Sequence, residues 1–292
     1  MNLQERCTVA AFRAAWFLMP RISEHVTQTI FDVLADVAWL RNGSDVRRLQ
    51  SNLARVTGAD SEQEQRDLTR RAMRSYARYW RETFSLDGWS LHEMQSRVRY
   101  IGIERLDAAM ASGGGALLAA THSGNWDLAA VVIAHRYGGG TTVAERLKPE
   151  ALFDLFVAAR TKYGVEIIPH AGGKRPAFAV LLERARAGRL LALVSDRDLS
   201  HRGVDVQFFG ANARMAGGPG ALALATGIPV FPVAIWNDGA QLVFEVKPQL
   251  DVVEGDTVAT FTQRLADAYA DIIGAHPEDW HMLQRVWIEA TV

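Results

Sequence analysis

From about residue 97 onward, short apolar runs alternate with longer amphipathic ones. Runs at 97–102, 115–121, 141–145, 165–169, 190–196, 204–209, 229–236 and 241–247 have strand length. The stretches 103–112, 126–137, 149–163, 176–187, 215–226 and 257–275 read as helices. Strands joined by crossover helices predict a largely parallel sheet covered on both faces. Glycines at 113–115, 138–140, 164 and 188 stand where the helices should stop. Ahead of this region the pattern is helical only. Residues 24–40 place Val26, Ile30, Val33, Leu34 and Val37 at helical spacing, and 44–56 form a helix that ends near Gly58. A longer helix over 61–84 puts Met73, Tyr76, Trp80 and Phe84 on one stripe, beside Arg66, Arg70, Arg74, Arg78 and Arg81 on the next. The expectation is an α/β fold. A largely parallel central sheet is flanked by helices, with an N-terminal helical extension. The chain reads as one unit over 1–292, with a helical, membrane-proximal part at 1–90 and a core at 91–292. The segment Trp280–Trp287 is expected to pack back on the helical part.

Composition narrows the function classes. With 49% hydrophobic and 22% charged residues the chain is globular rather than disordered. The lone Cys7 excludes an internal disulfide and fits a reducing compartment. A net charge of −1 counts against nucleic-acid binding. The distribution says more than the sum. Residues 1–81 hold thirteen Arg, no Lys and nine acids, a net of +4, so the remainder carries −5. A basic amino-terminal part suits docking on an anionic bilayer, although a solvated helix surface has the same composition. No span of membrane-crossing length is visible. The most apolar stretch, 7–19, is short, contains Arg13 and stops at Pro20. Glu5 ahead of it and the lack of a small-residue cleavage site argue against a signal peptide. It reads as an amphipathic or buried helix, suited to a membrane interface.

The densest chemistry lies in Thr121-His122-Ser123-Gly124-Asn125-Trp126-Asp127, between an apolar strand and a helix. In an open parallel sheet, ligands bind at the carboxyl ends of strands. A histidine there, with a carboxylate across the turn, is a general base with an orienting partner. Asp127 in the first turn also complements the helix dipole, and Asn125 or Ser123 suits a cap, whatever the function. Ser123 sits in no G-x-S-x-G elbow. The base must then activate a hydroxyl of the substrate. Strands ending at His122, Glu145 and Asp196 would share one edge of a parallel sheet.

His122 to Asp127 resembles the H-x-x-x-x-D/E motif of glycerolipid acyltransferases. Leu190 to Asp198, ending Ser-Asp-Arg-Asp, is similar to the D-x-D block of the lipid A acyltransferase branch. Gly227-Ile228-Pro229-Val230-Phe231-Pro232 resembles that branch's proline-bearing strand. The segments Tyr76–Glu82 and His276–Trp287 are similar to the actinobacterial phosphatidylinositol mannoside acyltransferases. The F-P-E-G-T-R-S block of 1-acylglycerol-3-phosphate acyltransferases is absent, as is the leading transmembrane helix typical of lipid A enzymes.

The resemblance implies an O-acyltransferase that uses acyl-CoA as co-substrate and no resident cofactor or metal. His122 would deprotonate an acceptor hydroxyl, with Asp127 fixing its tautomer. Glu145, Arg160, Asp196, Arg197 and Asp198 would bind substrate. The acceptor would be a glycolipid like a phosphatidylinositol mannoside, met at the cytoplasmic face of the cell membrane by a peripheral protein. Backbone amides after His122 are expected to hold the oxyanion, and His170–Arg175 to meet the phosphates of coenzyme A. Trp126, Val131, Val132 and the Phe208–Phe209 pair are candidates for the acyl groove. The alternatives are another lipid A-type or glycerolipid acyltransferase, a silent lipid-binding protein, and a metal-dependent hydrolase. The last would draw ligands from His122, Asp127, Asp196, Asp198 and His201.

Overall fold

The apolar runs become strands, and the amphipathic stretches between them become helices. The computed structural model describes residues 2–198 and 202–288. Four helices lead: α1 (Leu3–Leu18), α2 (Glu24–Arg41), α3 (Ser44–Thr57) and α4 (Glu62–Ser85). The core follows as α5 (Leu91–Ser96), β1 (Val98–Ile101), α6 (Ile103–Ala111), β2 (Ala116–Ala120), α7 (Trp126–Arg136) and β3 (Gly140–Ala144). It continues through α8 (Glu150–Thr161), β4 (Val165–Pro169), α9 (Ala177–Arg186), β5 (Leu190–Val194), β6 (Val204–Phe208) and β7 (Ala211–Met215). Then come α10 (Gly218–Thr226), β8 (Val230–Asp238), β9 (Gln241–Val246) and α11 (Val258–Ala275).

Seven strands form one sheet in the order β1-β9-β8-β2-β5-β3-β4. Five of them, β8, β2, β5, β3 and β4, run parallel. The β8–β9 hairpin reverses direction, and β1 lies parallel to β9. Helices cover both faces, as alternation along β2 makes plain. Leu117 and Ala119 join the cluster under α9, α10 and α11, while Ala116, Leu118 and Ala120 join the cluster under α6 and α7. Each fully buried leucine, such as Leu117 or Leu191, contributes about 1.5–3 kcal/mol.

Two elements depart from expectation. The run at 204–209 does not join the main sheet; β6 pairs antiparallel with β7 as a separate ribbon. That ribbon buries Val206, Phe208, Ala213 and Met215, and Trp287 donates from its indole to the Phe208 carbonyl at 2.9 Å. The short α5 was also not foreseen; a Ser90–Glu93 capping box starts it.

In the amino-terminal part, Phe12 and Trp16 of α1 pack against Phe84 and Phe156. Asp36 of α2 accepts paired bonds from both Arg70 and Arg74 of α4. The apolar stripe of α2 faces outward: Val26 is 46% exposed, Ile30 46%, Val33 56%, Leu34 56% and Val37 36%. Among the described residues, no helix is long and apolar enough to cross a membrane. The carboxyl-terminal segment does return to the helical part, where Asn52 of α3 donates to the carbonyls of Met282 at 2.7 Å and Gln284 at 2.9 Å.

Candidate active site

Parallel pairing of β2 with β5 matches Ala120 to Val194. Two residues past each strand end stand His122 and Asp196, and register alone makes them neighbours. The His122 Nδ1 lies 2.6 Å from Asp196 Oδ1, and the His122 backbone amide donates to Asp196 Oδ2 at 3.0 Å. Trp280 donates from its indole to the same Oδ2 at 2.9 Å. Asp196 is fully buried. Burial pushes its pKa up, but the His122 charge and the bonds from His122 and Trp280 outweigh this and hold the carboxyl below its usual range. An ionised carboxylate at Nδ1 fixes the proton there and leaves Nε2 as the basic nitrogen.

Asp127 is not the partner of His122. It occupies the second position of α7, and its carboxylate meets Arg160 of α8 at 2.6 and 3.1 Å and the Tyr79 hydroxyl at 2.8 Å. Burial first, and then the Asp127 charge, push the Tyr79 phenol well above its usual pKa. The carboxylate in contact with the His122 ring is Asp196, not Asp127. Asp196 is sealed from solvent and does not line the cavity, unlike the substrate contact expected of it.

The turn between them is tightly specified. Gly124 has φ +57°, and a Cβ there would lie 2.8 Å from the Ile235 carbonyl oxygen, so glycine is required. Asn125 caps α7 by accepting from the Leu128 amide at 2.9 Å, and it donates to Glu82 of α4 at 2.9 Å. Two of the amides after His122 are already committed: Ser123 N–H donates to Thr121 O and Gly124 N–H to Asp279 O. Trp280 forms a bridge with Ser123, and the His281 amide donates to the His122 carbonyl at 2.8 Å. No helix or strand period marks this clamp in the sequence.

His122 opens onto a cavity of about 280 Å³ between the sheet and helices α7 and α8. Its walls are largely apolar, and Ala120, Ala129, Ala130, Ala134, Ala144 and Ala192 leave room along them. It reaches down β3 from Ala144 to Gly140 and down β5 from Val194 to Leu190, about 13 Å at the strand rise. Trp126 lines it as expected. Val131 and Val132 instead belong to the core, and Phe208 packs on Trp280 and Trp287 within the core under the opposite helices.

Polar lining is sparse. Arg160 lines the cavity but is held by Asp127. Glu145, 56% exposed, pairs with Arg197 at 3.2 Å, and both line the cavity. The Arg197 Nε is buried and has no partner among the described residues. Asp198 does not line the cavity; it accepts from the Gly203 amide at 2.9 Å. Arg146 bonds the Gly172 carbonyl, tying the His170–Arg175 loop to the segment after Glu145. Among the described residues, no cluster of His, Cys, Asp and Glu is gathered to hold a metal. His201, one of the ligands considered, lies outside the described residues.

The arginine stripe of α4 is largely turned to internal use. Arg70 and Arg74 serve Asp36, Arg78 serves Glu82, and Arg81 bridges Glu24 and Glu82.

Comparison with known proteins adds to this geometry. The family model for bacterial lipid A biosynthesis acyltransferases matches residues 4–289. The chain is 44% identical over 281 residues to the phosphatidylinositol mannoside acyltransferase of Mycolicibacterium smegmatis, covering 96% of this chain and 91% of that one. It is 42% identical over 280 residues to the protein of the same name from Mycobacterium tuberculosis, covering 95% and 88%.

Proposed function

The chain belongs to the bacterial lipid A biosynthesis acyltransferase family, and we propose that it moves a long-chain acyl group from acyl-CoA to a mannose hydroxyl of a phosphatidylinositol mannoside-like glycolipid. The observation that carries this reading is an imidazole, oriented by a buried carboxylate, at the mouth of a narrow apolar cavity. The acyl chain runs down the cavity, leaving the thioester beside His122. His122 Nε2 takes the proton of the acceptor hydroxyl as its oxygen attacks the thioester carbon. The tetrahedral intermediate collapses with cleavage of the C–S bond, and the imidazolium returns the proton to the departing thiolate. Asp196 stabilises the imidazolium between these steps. A base so placed contributes about 10²- to 10⁴-fold in rate.

Arg197 is the donor to the developing oxyanion, a reading supported by its place on the cavity wall beside Glu145. Glu145, exposed beside it, accepts from acceptor hydroxyls. Asp127, Arg160 and Tyr79 form the polar end of the wall and hold α4, α7 and α8 together around it. No resident cofactor or metal enters these steps.

The protein docks peripherally, at the cytoplasmic face of the membrane. The outward apolar residues of α2, with Phe17, Leu18 and Ile22 before them, support this. The excess of arginine over acid in 1–81 favours an anionic surface.

The test is mass spectrometry of the products formed from palmitoyl-CoA and a mixed glycolipid extract. One added palmitoyl group on a phosphatidylinositol mannoside is expected. Acylation of glycerolipid hydroxyls alone would overturn the acceptor assignment.

A further inference from the structure

We propose that Trp280 is a positioning residue of the active site, acting on His122 through Asp196. Asp196 Oδ2 accepts two bonds, one from the His122 backbone amide and one from the Trp280 indole at 2.9 Å. Its other oxygen faces the imidazole Nδ1. The indole therefore fixes the plane of the carboxylate, and the carboxylate fixes the plane of the ring. Trp280 is fully buried, and the residues on either side of its N–H are held as well. Its backbone bridges Ser123, the Asp279 carbonyl accepts from Gly124, and the His281 amide holds the His122 carbonyl. A segment 84 residues beyond Asp196, and farther still from His122, thus grips the base and its carboxylate.

The indole matters for two reasons. A buried carboxylate with fewer donors is a stronger proton acceptor, and it would draw the Nδ1 proton toward itself. A carboxylate held by two bonds instead of three is also free to rotate, and the imidazole then loses its aim at the acceptor hydroxyl. Packing alone does not demand tryptophan here. The neighbouring rings of Phe208 and Trp287 meet it edge-on at 6.3 Å, and phenylalanine would fill much of the same core.

This inference rests on the reaction proposed above, and its test separates the two. Trp280→Phe removes the donor and keeps an aromatic ring. A second variant carries β-(3-benzothienyl)alanine at 280, which replaces the N–H by sulfur at nearly constant shape. For both, kcat should fall about 10- to 100-fold, the range a hydrogen bond to a charged group supports. KM for palmitoyl-CoA and for the glycolipid should stay within about twofold, because neither substrate touches Trp280. In an Asp196→Asn background the same change at 280 should cost less than about twofold, since the carboxylate through which it acts is gone. One readout needs no substrate. The downfield proton resonance of the His122 Nδ1–H···Asp196 bond, identified by its loss in Asp196→Asn, should shift or broaden in both variants. An unchanged resonance with wild-type kcat in the folded benzothienyl protein would overturn the role of Trp280. So would losses at 280 and 196 that multiply independently. A wild-type protein that acylates no glycolipid would instead overturn the reaction, and the resonance would still report on Trp280.

Discussion

Replacing His281 with phenylalanine should flatten the acid side of the protein's stability curve. His281 is buried among Tyr76, Tyr79 and Trp126, and its Nε2 lies 2.9 Å from Ser75 Oγ. Ser75 gives its one proton to Asp279, so the His281 ring must donate from Nε2. Its Nδ1 is then a buried lone pair with no partner among the described residues. Protonation would put a charge there with nothing to accept it. Burial first, and the His122 charge second, lower its pKa to about 3.

The folded pKa lies below the unfolded one, so the unfolded chain binds a proton as pH falls through about 6.5, while the folded chain does not. Stability from this group is complete above that value and drains away down to about pH 3. Between pH 7 and pH 4.5 the loss is about 2.5 kcal/mol, from 1.36 kcal/mol per unit over nearly two units. Urea unfolding at a series of pH values measures it. The wild type should lose about 2.5 kcal/mol more than His281→Phe across that interval. Parallel curves for the two proteins would refute the neutral, unpartnered imidazole.

Three further predictions follow from the same geometry. Asp127→Ala leaves Arg160 without its carboxylate and should lower stability by about 3 kcal/mol in urea; an unaltered midpoint would show that the pair is not what holds α7 to α8. Ala134→Leu fills the deep end of the cavity, where Ala134 and Leu190 lie 3.8 Å from a Cβ built on Gly140. The variant should prefer shorter acyl-CoA chains, and an unchanged chain-length profile would place the acyl group elsewhere. Val33→Glu with Leu34→Glu should weaken co-sedimentation with phosphatidylinositol vesicles, with only a modest added effect of salt, because the α4 arginines are paired internally; undiminished binding would exclude the α2 face as the anchor.

Much of the scaffold is legible in the chain, and the reasons it stops being so are physical. The helix expected at 61–84 runs Glu62–Ser85, because Ser61 offers a cap and the apolar stripe ends with Phe84. Strand ends at His122, Glu145 and Asp196 followed from the apolar runs. Which strands become neighbours did not, since β5 reaches β2 only after three crossovers, and the adjacency of Asp196 to His122 depends on it. The five-residue spacing from His122 to Asp127 suggests a pair, but the helix start turns Asp127 toward Arg160. Period also cannot say which side of a helix is covered: Val33 and Leu34 fall at helical spacing and face outward. The same blindness hides the use of Arg70 and Arg74, whose partner Asp36 lies on a different helix. Phe208 looked like groove lining because the run containing it resembles a sheet strand; pairing with β7 carries it into the opposite layer.

The central claim is direct transfer with His122 as base, held by Asp196. The measurement that tests it is glycolipid acylation from palmitoyl-CoA, followed by mass spectrometry, for wild type, His122→Ala and Asp196→Asn. His122→Ala should lose transfer altogether, and Asp196→Asn should lose about 10²- to 10⁴-fold, with KM little changed and no acyl group ever attached to the protein. Full activity in His122→Ala, or an acyl-enzyme ester captured on Ser123, would contradict the account.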